Sequence, residues 1–360
     1  MNAVNTVVEL RSRYVVITED IKHRIEADEF GARLPTIQAL AGQYDVSTDT
    51  IQRAVKLLKQ EGVVTAVPKV GIRPTRMKRA RNNMLGVVVG GTVGLGAKLV
   101  AGVQKQAWAH RQSVAVECYN NDFNRIELLV KRLVEEREVD GVILWHGTPD
   151  EGMLQWLQAR RVPFVLCGEP NIRSLANVHT VGNNDSGSAT DVMTHLLGRG
   201  HQRIGFVCGY SPEESGFVAH RHSRYRHSLE IAGLPIAEPI IIGTPFEALA
   251  SNTVPPGPDI KRLQPFTAVF CDTDRTAAVV MRECLKHGIK VPDDLAVTGY
   301  DNNEIAILLD LTSVEQHFER IGEKAVDILL DDLEGKLDGF QHRQVASELI
   351  IRGSSAAMRR

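Results

Sequence analysis

The spacing of hydrophobic positions divides the chain into a short helical part and a long part in which strands and helices alternate. In the short part, apolar side chains recur every three or four residues, a spacing typical of amphipathic helices. The predicted helices are Thr18–Ala27, Thr36–Tyr44 and Thr48–Gln60. Two β-prone stretches, Val63–Val67 and Val70–Pro74, follow and predict a hairpin. Residues 1–75 are therefore expected to form a three-helix module with a wing.

Capping signals define the last of these helices. Ser47 is suited to cap its N-terminus, and Asp49 lies in its first turn, where the helix dipole favours a carboxylate. Gly62 ends it. A helix–turn–helix with a wing fits a DNA reader, in which the exposed face of the last helix contacts base edges in the major groove. A three-helix protein–protein module whose charges are merely solvated is the alternative.

From Met84 onward, short apolar runs alternate with amphipathic helices, a pattern that predicts parallel sheets covered by helices on both faces. The predicted strands are Met84–Val89, Val114–Tyr119, Asp140–Trp145, Pro163–Cys167, Arg203–Cys208, Ala268–Cys271 and Leu295–Gly299. The predicted helices are Lys98–His110, Arg125–Arg137, Met153–Arg160, Asp185–Leu197, Ser223–Ala232, Arg275–His287 and Arg320–Leu333. Because these strands are too many for one tidy sheet, we expect two consecutive doubly wound lobes joined near Val178–Asn183. Ligands bind such folds at the carboxyl ends of strands, so the lobes should face each other across a cleft whose closure can act as a switch.

Charge separates the same two parts. Residues 1–83 carry 14 Lys and Arg against 9 Asp and Glu, a net of +5, whereas the rest of the chain carries 28 against 35, a net of −7. The first part is therefore suited to a polyanion and the second is not. Arg73–Asn83 holds five basic residues and no acidic ones, which predicts a linker that adds sequence-independent phosphate affinity.

Composition excludes several classes of protein. Hydrophobic residues at 43% and charged residues at 24% are typical of a soluble globular chain. Apolar runs such as Met84–Val89 are too short to span a bilayer, and Met1–Arg13 lacks the apolar core of a secretory signal. The five cysteines are scattered, which favours reduced thiols, and no Cys/His spacing supports zinc. We expect a cytoplasmic protein with no metal and no cofactor.

A glycine-rich segment, Gly90–Gly96, suggests a competing hypothesis. It follows a predicted strand and precedes a helix, and Glu117 lies about twenty residues further on, as in a dinucleotide site. The spacing is not G-x-G-x-x-G, however, and no cluster of His, Lys or Tyr nearby suggests hydride chemistry. A cytoplasmic NAD(P)-dependent enzyme with a doubly wound fold is one alternative, and a solute-binding receptor is another.

The segment GARLPTIQALAGQYDVSTDTIQRAVKLLKQEGVV resembles the GntR-type winged helix over residues 13–75. The matching positions are Gly31, Leu34, Pro35, Leu40, Ala41, Val46, Ser47, Thr50, Ala54, Leu58 and Gly62. With the exposed face of the last helix, the resemblance implies a DNA interface of Thr36, Gln38, Ser47, Thr48, Thr50, Gln52, Arg53, Lys56, Lys69, Gly71 and Arg73, with Lys22 and Lys59 as lesser candidates. Family members often carry Arg where this chain has Gln38, Thr48 and Gln52, so the operator sequence cannot be transferred. Amides at such positions can read adenine.

Residues 84–354 resemble the LacI/GalR-type effector domain, which has the fold of periplasmic sugar-binding proteins. Three segments carry the resemblance: LLGRGHQRIGFVCG, TAVFCDTDRTAAVVMRECLKHGIKVPDDLAVTGYDNNE and LTSVEQHFERIG. Placed on this chain, the family's effector-holding positions are Arg221, Thr273, Asp301 and Phe318, and Trp145 is a further candidate wall. Asp and Arg make directional bonds to sugar hydroxyls, and an aromatic ring covers the apolar C–H face of the sugar.

Several of these positions have a second interpretation. Asp301 can instead cap the helix that begins near Asn303, and Trp145 can belong to the core. Thr273 stands where Asn is usual in the family, and Gly168 stands where many members place an acidic ligand, although Glu169 is next to it. The basic residues Arg221, Arg224 and Arg226 leave room for an acidic or phosphorylated sugar.

The sequence thus predicts an α/β protein with a small N-terminal winged helix–turn–helix domain and a two-lobed, doubly wound α/β domain like a periplasmic binding protein. The expected domains are residues 1–75, a basic linker 76–83, the effector-binding and dimerisation domain 84–354 and a tail 355–360. We expect a transcriptional regulator without catalytic activity, a repressor that binds double-stranded operator DNA as a homodimer. A small molecule, a sugar or sugar derivative, is expected to control its operator affinity from the cleft between the lobes.

Overall fold

The computed structural model describes residues 13–26, 29–30, 33–67, 71–74, 81–120, 122–145, 151–168, 177–243 and 256–356. They form two compact units. One unit comprises Met1–Asn82 with Glu151–Val162, and the other comprises Asn83–Asp150 with Pro163–Arg360. None of the described helices is long and apolar enough to cross a membrane.

The first unit contains the predicted winged helix–turn–helix. Its helices are α1 (Arg13–Glu26), α2 (Ile37–Tyr44) and α3 (Thr48–Gln60), and the antiparallel wing pairs β1 (Val64–Val67) with β2 (Gly71–Pro74). Helix α1 begins five residues earlier than predicted, because Ile17 is buried with the core and the Thr18 hydroxyl donates to the Tyr14 carbonyl at 2.7 Å. Most of the predicted basic linker falls on residues 75–80, which lie outside the described residues.

Capping interactions define the turn between α2 and α3. Thr36 caps α2 by accepting from the Ala39 N–H at 3.2 Å, and Asp45 ends that helix in the left-handed conformation at φ 50°. Ser47 caps α3 by accepting from the Thr50 N–H at 3.3 Å, as the sequence predicts. On the opposite face, α3 buries an aliphatic stripe against the other two helices: Ile51, Ala54, Val55 and Leu58.

The larger unit begins with a six-stranded, all-parallel sheet that forms the N-lobe. Its order is β4–β3–β5–β6–β7–β13, made of β3 (Met84–Val89), β4 (Ser113–Cys118), β5 (Gly141–Trp145), β6 (Phe164–Cys167), β7 (His179–Asn183) and β13 (His342–Val345). Its helices are α4 (Leu95–Ala109), α5 (Ile126–Glu135) after a 3-10 turn (Phe123–Arg125), and α12 (Phe318–Leu333). The strands are nearly continuous apolar runs because both faces are covered.

A four-stranded parallel sheet forms the C-lobe, in the order β11–β10–β8–β9. Its strands are β8 (Ile204–Cys208), β9 (Ile240–Ile241), β10 (Ala268–Cys271) and β11 (Ala296–Thr298). The helices that accompany it are α7 (Asp185–Gly198), α8 (Gly216–Ile231), α9 (Ile260–Leu263), α10 (Asp274–Lys286) and α11 (Glu304–Leu308). The predicted fold class is therefore confirmed.

The expectation of two consecutive lobes is wrong. The chain passes between the lobes after Asn183, after Glu315 and after Val345, so that α12 and β13 return to the N-lobe. The predicted joint is itself the N-lobe strand β7. Near the second and third passages, β12 (Ser313–Glu315) pairs antiparallel with β14 (Glu348–Ile350), and a 3-10 turn (Gly353–Ser355) follows. Ser355 is buried in this unit and donates to the Thr312 hydroxyl at 2.6 Å.

Helix α6 (Glu151–Ala159), between β5 and β6 along the chain, groups with the winged unit. Just beyond it, Arg161 Nη2 donates to the Ile25 carbonyl of α1 at 2.7 Å. Because α1 packs on α3, this segment supports the face of the winged module opposite to the exposed side of α3.

Candidate DNA interface and ligand cleft

The predicted DNA-binding residues that the structure describes lie at the surface of the winged unit. Those with exposed side chains or backbone are Thr36, Gln38, Ser47, Thr48, Gln52, Arg53, Lys56, Gly71 and Arg73, whereas Thr50 is half-buried. Lys69 lies outside the described residues. The Ser47 hydroxyl caps α3 and lies 3.0 Å from the Thr50 hydroxyl. These two side chains therefore stabilise the first turn of α3 and also lie beside the predicted DNA-binding face.

Two of the basic residues predicted to contact DNA form ion pairs. Arg53 Nη2 lies 2.9 Å from Asp49 Oδ2, one turn earlier on α3, and both side chains are about two-thirds exposed. Lys22 Nζ lies 3.2 Å from Glu61 Oε2. Lys22 is therefore partly neutralised, which weakens its case as a phosphate contact, whereas Lys56 and Arg73 stay exposed.

In the C-lobe, the carboxyl ends of the strands bring Arg221 and Asp301 together. Arg221, on α8, is almost fully buried, and its Nη1 lies 3.8 Å from Asp301 Oδ1 in the loop after β11. The same nitrogen donates to the Asp272 carbonyl at 2.5 Å, and the guanidinium carbon sits 3.6 Å from the centre of the Tyr300 ring. A guanidinium held by a carbonyl, a carboxylate and an aromatic face is fixed in direction before any ligand arrives.

The N-lobe contributes an aromatic pair at the end of β5. The rings of Trp145 and Phe318 meet edge to face with their centres 5.3 Å apart. Tyr119 donates to the Trp145 carbonyl at 3.4 Å, and Gly168, at φ 90°, lies against the indole. Trp145 is 8% exposed and packs into the N-lobe core. Most of its side chain is therefore part of the core, which was the second interpretation of this residue.

Three buried side chains link the N-lobe sheet to Asp301 across a passage between the lobes. Asn183, at the end of β7, donates from its amide to Gln316 Oε1, and Gln316 Nε2 donates to Asp301 Oδ1 at 2.7 Å. All three side chains are buried. The N-lobe sheet is therefore hydrogen-bonded, through Gln316, to the carboxylate that faces Arg221. Gln316 ends the L-T-S-V-E-Q stretch, and that motif was the signal that could have identified it.

The Asp272–Asp274 segment after β10 is largely committed to the fold. Thr273 caps α10 by accepting from the Thr276 N–H at 3.2 Å. Asp274 accepts from the Asn303 N–H at 2.8 Å and from the Ser313 hydroxyl at 2.5 Å. Burial raises the pKa of Asp274 to about 6, against the lowering effect of these bonds. Burial also raises the pKa of Asp272, which accepts from the Gly209 N–H at 3.0 Å.

Asp301 does not cap the short helix α11. Asn303 does so, by accepting from the Ile305 N–H at 3.0 Å. Asp301 itself has φ 108°, a conformation that side-chain-bearing residues rarely adopt. The capping interpretation is therefore wrong, and the Asp301 carboxylate is turned toward Arg221 and Gln316 instead.

Sequence reasoning missed two cationic side chains at the boundary between the lobes. Arg275, in the first turn of α10, reaches the N-lobe loop, where its Nη2 lies 3.5 Å from the position a Cβ on Gly94 would take. Burial lowers the pKa of Arg275, and the charges of Asp301 and Glu304 act in the opposite direction. Lys98, on α4, donates to the Asn302 carbonyl at 2.9 Å.

The predicted basic cluster on α8 is divided by the helix. Arg221 faces inward, whereas Arg224 and Arg226 line a separate cavity of about 490 Å³. The other lining residues are Pro212, Glu213, Ala219, His222, Ser223, His227 and Glu230. Arg221, Arg224 and Arg226 therefore do not form one cluster, and the acidic or phosphorylated sugar for which the sequence leaves room stays an open alternative. Within the described residues, no group of His, Cys, Asp or Glu is arranged to hold a metal ion.

Two family models match different parts of the chain. Residues 13–73 match the bacterial regulatory proteins of the gntR family, and residues 193–355 match a periplasmic binding protein-like domain. The chain is a transcriptional regulator that joins a segment similar to the gntR regulators to a periplasmic binding protein-like domain.

Relatives extend this similarity over nearly the whole regulator. It is 29% identical over 344 residues to the HTH-type transcriptional repressor CytR of Escherichia coli K12, covering 90% of this chain and 97% of that protein. It is 26% identical over 336 residues to the HTH-type transcriptional repressor PurR of Vibrio parahaemolyticus, covering 89% and 98%. The fold of the regulator is similar to that of a transcriptional regulator CelR–cellobiose complex, with a TM-score of 0.63, 21% identity and coverage of 89% and 100%. A LacI family regulator from Enterococcus faecium with bound ribose has a TM-score of 0.64, 20% identity and coverage of 77% and 100%.

Proposed function

We propose that the regulator is a cytoplasmic repressor without catalytic activity, whose affinity for operator DNA is set by a small molecule bound between the lobes. We infer that the molecule is a sugar or sugar derivative and that the repressor acts as a homodimer on a roughly palindromic operator. Closure of the lobes around the ligand would change the distance between the two DNA-binding domains of the homodimer.

The single observation that carries the ligand proposal is the buried Arg221–Asp301 pair at the strand ends of the C-lobe. A guanidinium and a carboxylate side by side offer donors and acceptors at fixed positions, as a polyol requires. On the N-lobe side, Trp145 and Phe318 pack into the core and are 8% and 2% exposed, so we infer that only the edge of the Trp145 ring would meet the apolar face of a sugar. The cellobiose and ribose complexes of proteins with this fold support the same ligand class.

The proposal is tested by footprinting the purified protein on its own promoter region, with and without D-ribose and cellobiose. We expect a protected, roughly palindromic site whose occupancy changes with one of the sugars or a related compound. A protein that protects no site under any condition contradicts the repressor proposal. Protection that no sugar alters contradicts only the ligand class.

Asp301→Asn separates ligand binding from DNA binding. The substitution keeps the size of the side chain but removes the charge that faces Arg221, so we expect the affinity for the ligand to fall at least tenfold. Operator affinity without ligand should stay unchanged. If operator affinity falls equally, Asp301 serves the fold and not the ligand.

An NAD(P)-dependent enzyme has less support from the geometry. Glu117, the residue at the spacing expected for a ribose contact, is held by Arg132 Nη2, which lies 2.6 Å from both carboxylate oxygens. Calorimetric titration of the protein with NAD and with NADP distinguishes the enzyme from the repressor. Saturable binding in the micromolar range would favour the enzyme.

A further inference from the structure

Asp49 is an acidic residue at the start of α3, the part of the DNA-binding domain where acidic residues are least expected. It lies in the first turn of α3, is 66% exposed, and belongs to a domain with a net positive charge. The N-terminal residues of a recognition helix approach the major groove, so a carboxylate there is repelled by the phosphates on both sides. The helix dipole and the Arg53 ion pair offset this only weakly, because both interactions are exposed and screened by salt.

The major groove offers a carboxylate one favourable partner among the base edges. The N4 amino group of cytosine is a donor, and Asp or Glu can accept from it, whereas Arg donates to O6 and N7 of guanine. Thr48 and Gln52 occupy the other exposed positions of the first two turns of α3. In these turns Asp49 and Arg53 are therefore the only charged side chains that the structure places on the exposed surface.

The geometry of the pair allows both members to contact bases without separating. The shortest contact of the pair joins Arg53 Nη2 to Asp49 Oδ2, at 2.9 Å, and both side chains are about two-thirds exposed, so their polar atoms can reach base edges. Side chains four residues apart on a helix have Cβ atoms about 5–6 Å apart, which lies between one and two steps of about 3.4 Å between stacked base pairs.

We propose that Asp49 and Arg53 read the operator as a pair, with Asp49 accepting from a cytosine and Arg53 donating to a guanine at the same or the adjacent base pair. Asp49 is then a specificity-determining residue, and the ion pair fixes the direction of Arg53. The inference rests on the proposed operator-binding function and adds a base preference to it.

The test is selection from a randomised duplex library by the full-length protein, carried out on the wild type and on Asp49→Asn. Asn pairs with adenine, so we expect one position of the selected sequence to change from cytosine to adenine while the others stay the same. On duplexes that differ only at this position, the preference for cytosine should fall about fivefold or more. Arg53→Gln should change guanine to adenine at the same or the neighbouring base pair.

Asp45→Asn is the matched control, because Asp45 carries the same charge, is exposed and lies just before α3. Asn tolerates its left-handed backbone, so the control changes charge alone. If Asp49→Asn and Asp45→Asn both select the wild-type sequence, Asp49 acts only through its charge and the inference is overturned. Asp49→Glu retains the charge but moves the carboxylate by one methylene, so loss of the cytosine preference in this variant supports base reading. A wild-type protein that enriches no sequence contradicts the operator-binding proposal as well.

Discussion

At the residue scale, Gln316 has the most constrained side chain of the cleft. Its amide oxygen accepts from Asn183 and its amide nitrogen donates to Asp301, so its orientation is set from both sides. The carboxylate of Asp301 is thereby aimed at Arg221 by a residue that belongs to the passage between the lobes. Ligand contact and lobe position therefore share one hydrogen-bonded chain.

Gln316→Met tests this assignment, because Met has similar volume and can replace neither hydrogen bond. We expect the free energy of unfolding to fall by about 1 kcal/mol for each bond lost. We also expect ligand affinity to fall and the effect of ligand on operator affinity to shrink, as measured by calorimetry and DNA anisotropy. Gln344→Met, at an exposed position of β13, is the control. Equal behaviour of the two variants would show that Gln316 has no special role.

The role of a single residue could be predicted from the sequence where a motif includes a known functional position. It could not be predicted where a contact depends on the fold. Arg221 and Asp301, both proposed from family resemblance, do meet in the structure. Arg275 lies in a segment that carries the resemblance but was given no role there, because its approach to Gly94 depends on how the two lobes face each other. Arg224 and Arg226 were grouped with Arg221 by proximity in sequence, yet they line a separate cavity to which Arg221 does not contribute.

At the element scale, α4 and α12 pack unusually closely, and two glycines make this possible. A Cβ on Gly102 would overlap the Glu319 carbonyl, and one on Gly322 would overlap the Leu99 carbonyl. The two backbones therefore approach directly, which brings α12 back onto the N-lobe after the chain has passed through the C-lobe.

Gly102→Ala should therefore push the two helices apart. Overpacking of this kind costs about 1–3 kcal/mol, more than Ala gains in helix propensity. We expect this loss in the free energy of unfolding, measured by urea denaturation with circular dichroism. Gly198→Ala, at the last residue of α7, meets nothing within 4 Å and should be neutral or stabilising. A Gly102→Ala variant as stable as this control would refute the close contact.

The type and limits of most elements follow from hydrophobic periodicity, but their assignment to a lobe does not. Helix α3 and strands β3 and β10 match their predicted limits, because local capping and apolar runs determine them. Strand β7 was taken for a joint, and β13 was missed because His342–Val345 reads as polar. Edge pairing with β7 makes β13 a strand, and such pairing depends on residues far apart in sequence.

At the scale of the whole large unit, Lys98 joins the N-lobe to the segment that carries Asp301, the proposed ligand contact. Its ammonium group donates to the carbonyl of Asn302, directly after Asp301, and lies 3.1 Å from Glu315 Oε2 in β12. Burial acts to raise the pKa of Glu315, but hydrogen bonds from Asn302 and the His317 N–H, together with the Lys98 charge, hold it below its usual value. The pair is about four-fifths buried, so salt screens it less than a surface pair.

An ion pair between α4 and the inter-lobe strand contributes to one lobe arrangement more than to another, since separating the lobes lengthens it. On the proposed mechanism, its contribution would bias the equilibrium between open and closed forms, and through it operator affinity. A bias of about 1 kcal/mol changes the ratio of two states about fivefold. We expect Lys98→Met to change operator affinity without ligand, and the ratio of affinities with and without ligand, by about that factor.

Lys105→Met is the matched control, because Lys105 lies on the same helix and pairs with Glu323 of α12 inside the N-lobe, at 2.6 Å. Both variants remove one positive charge from α4, so a general electrostatic effect on DNA should be similar in the two. Only Lys98→Met should alter the ratio of affinities, measured by DNA anisotropy at increasing ligand concentration. Glu315→Gln should reproduce that change, and the double variant should add little to it, because both substitutions remove the same contact. If Lys98→Met and Lys105→Met shift the ratio equally, the Lys98–Glu315 pair does not control the position of the lobes.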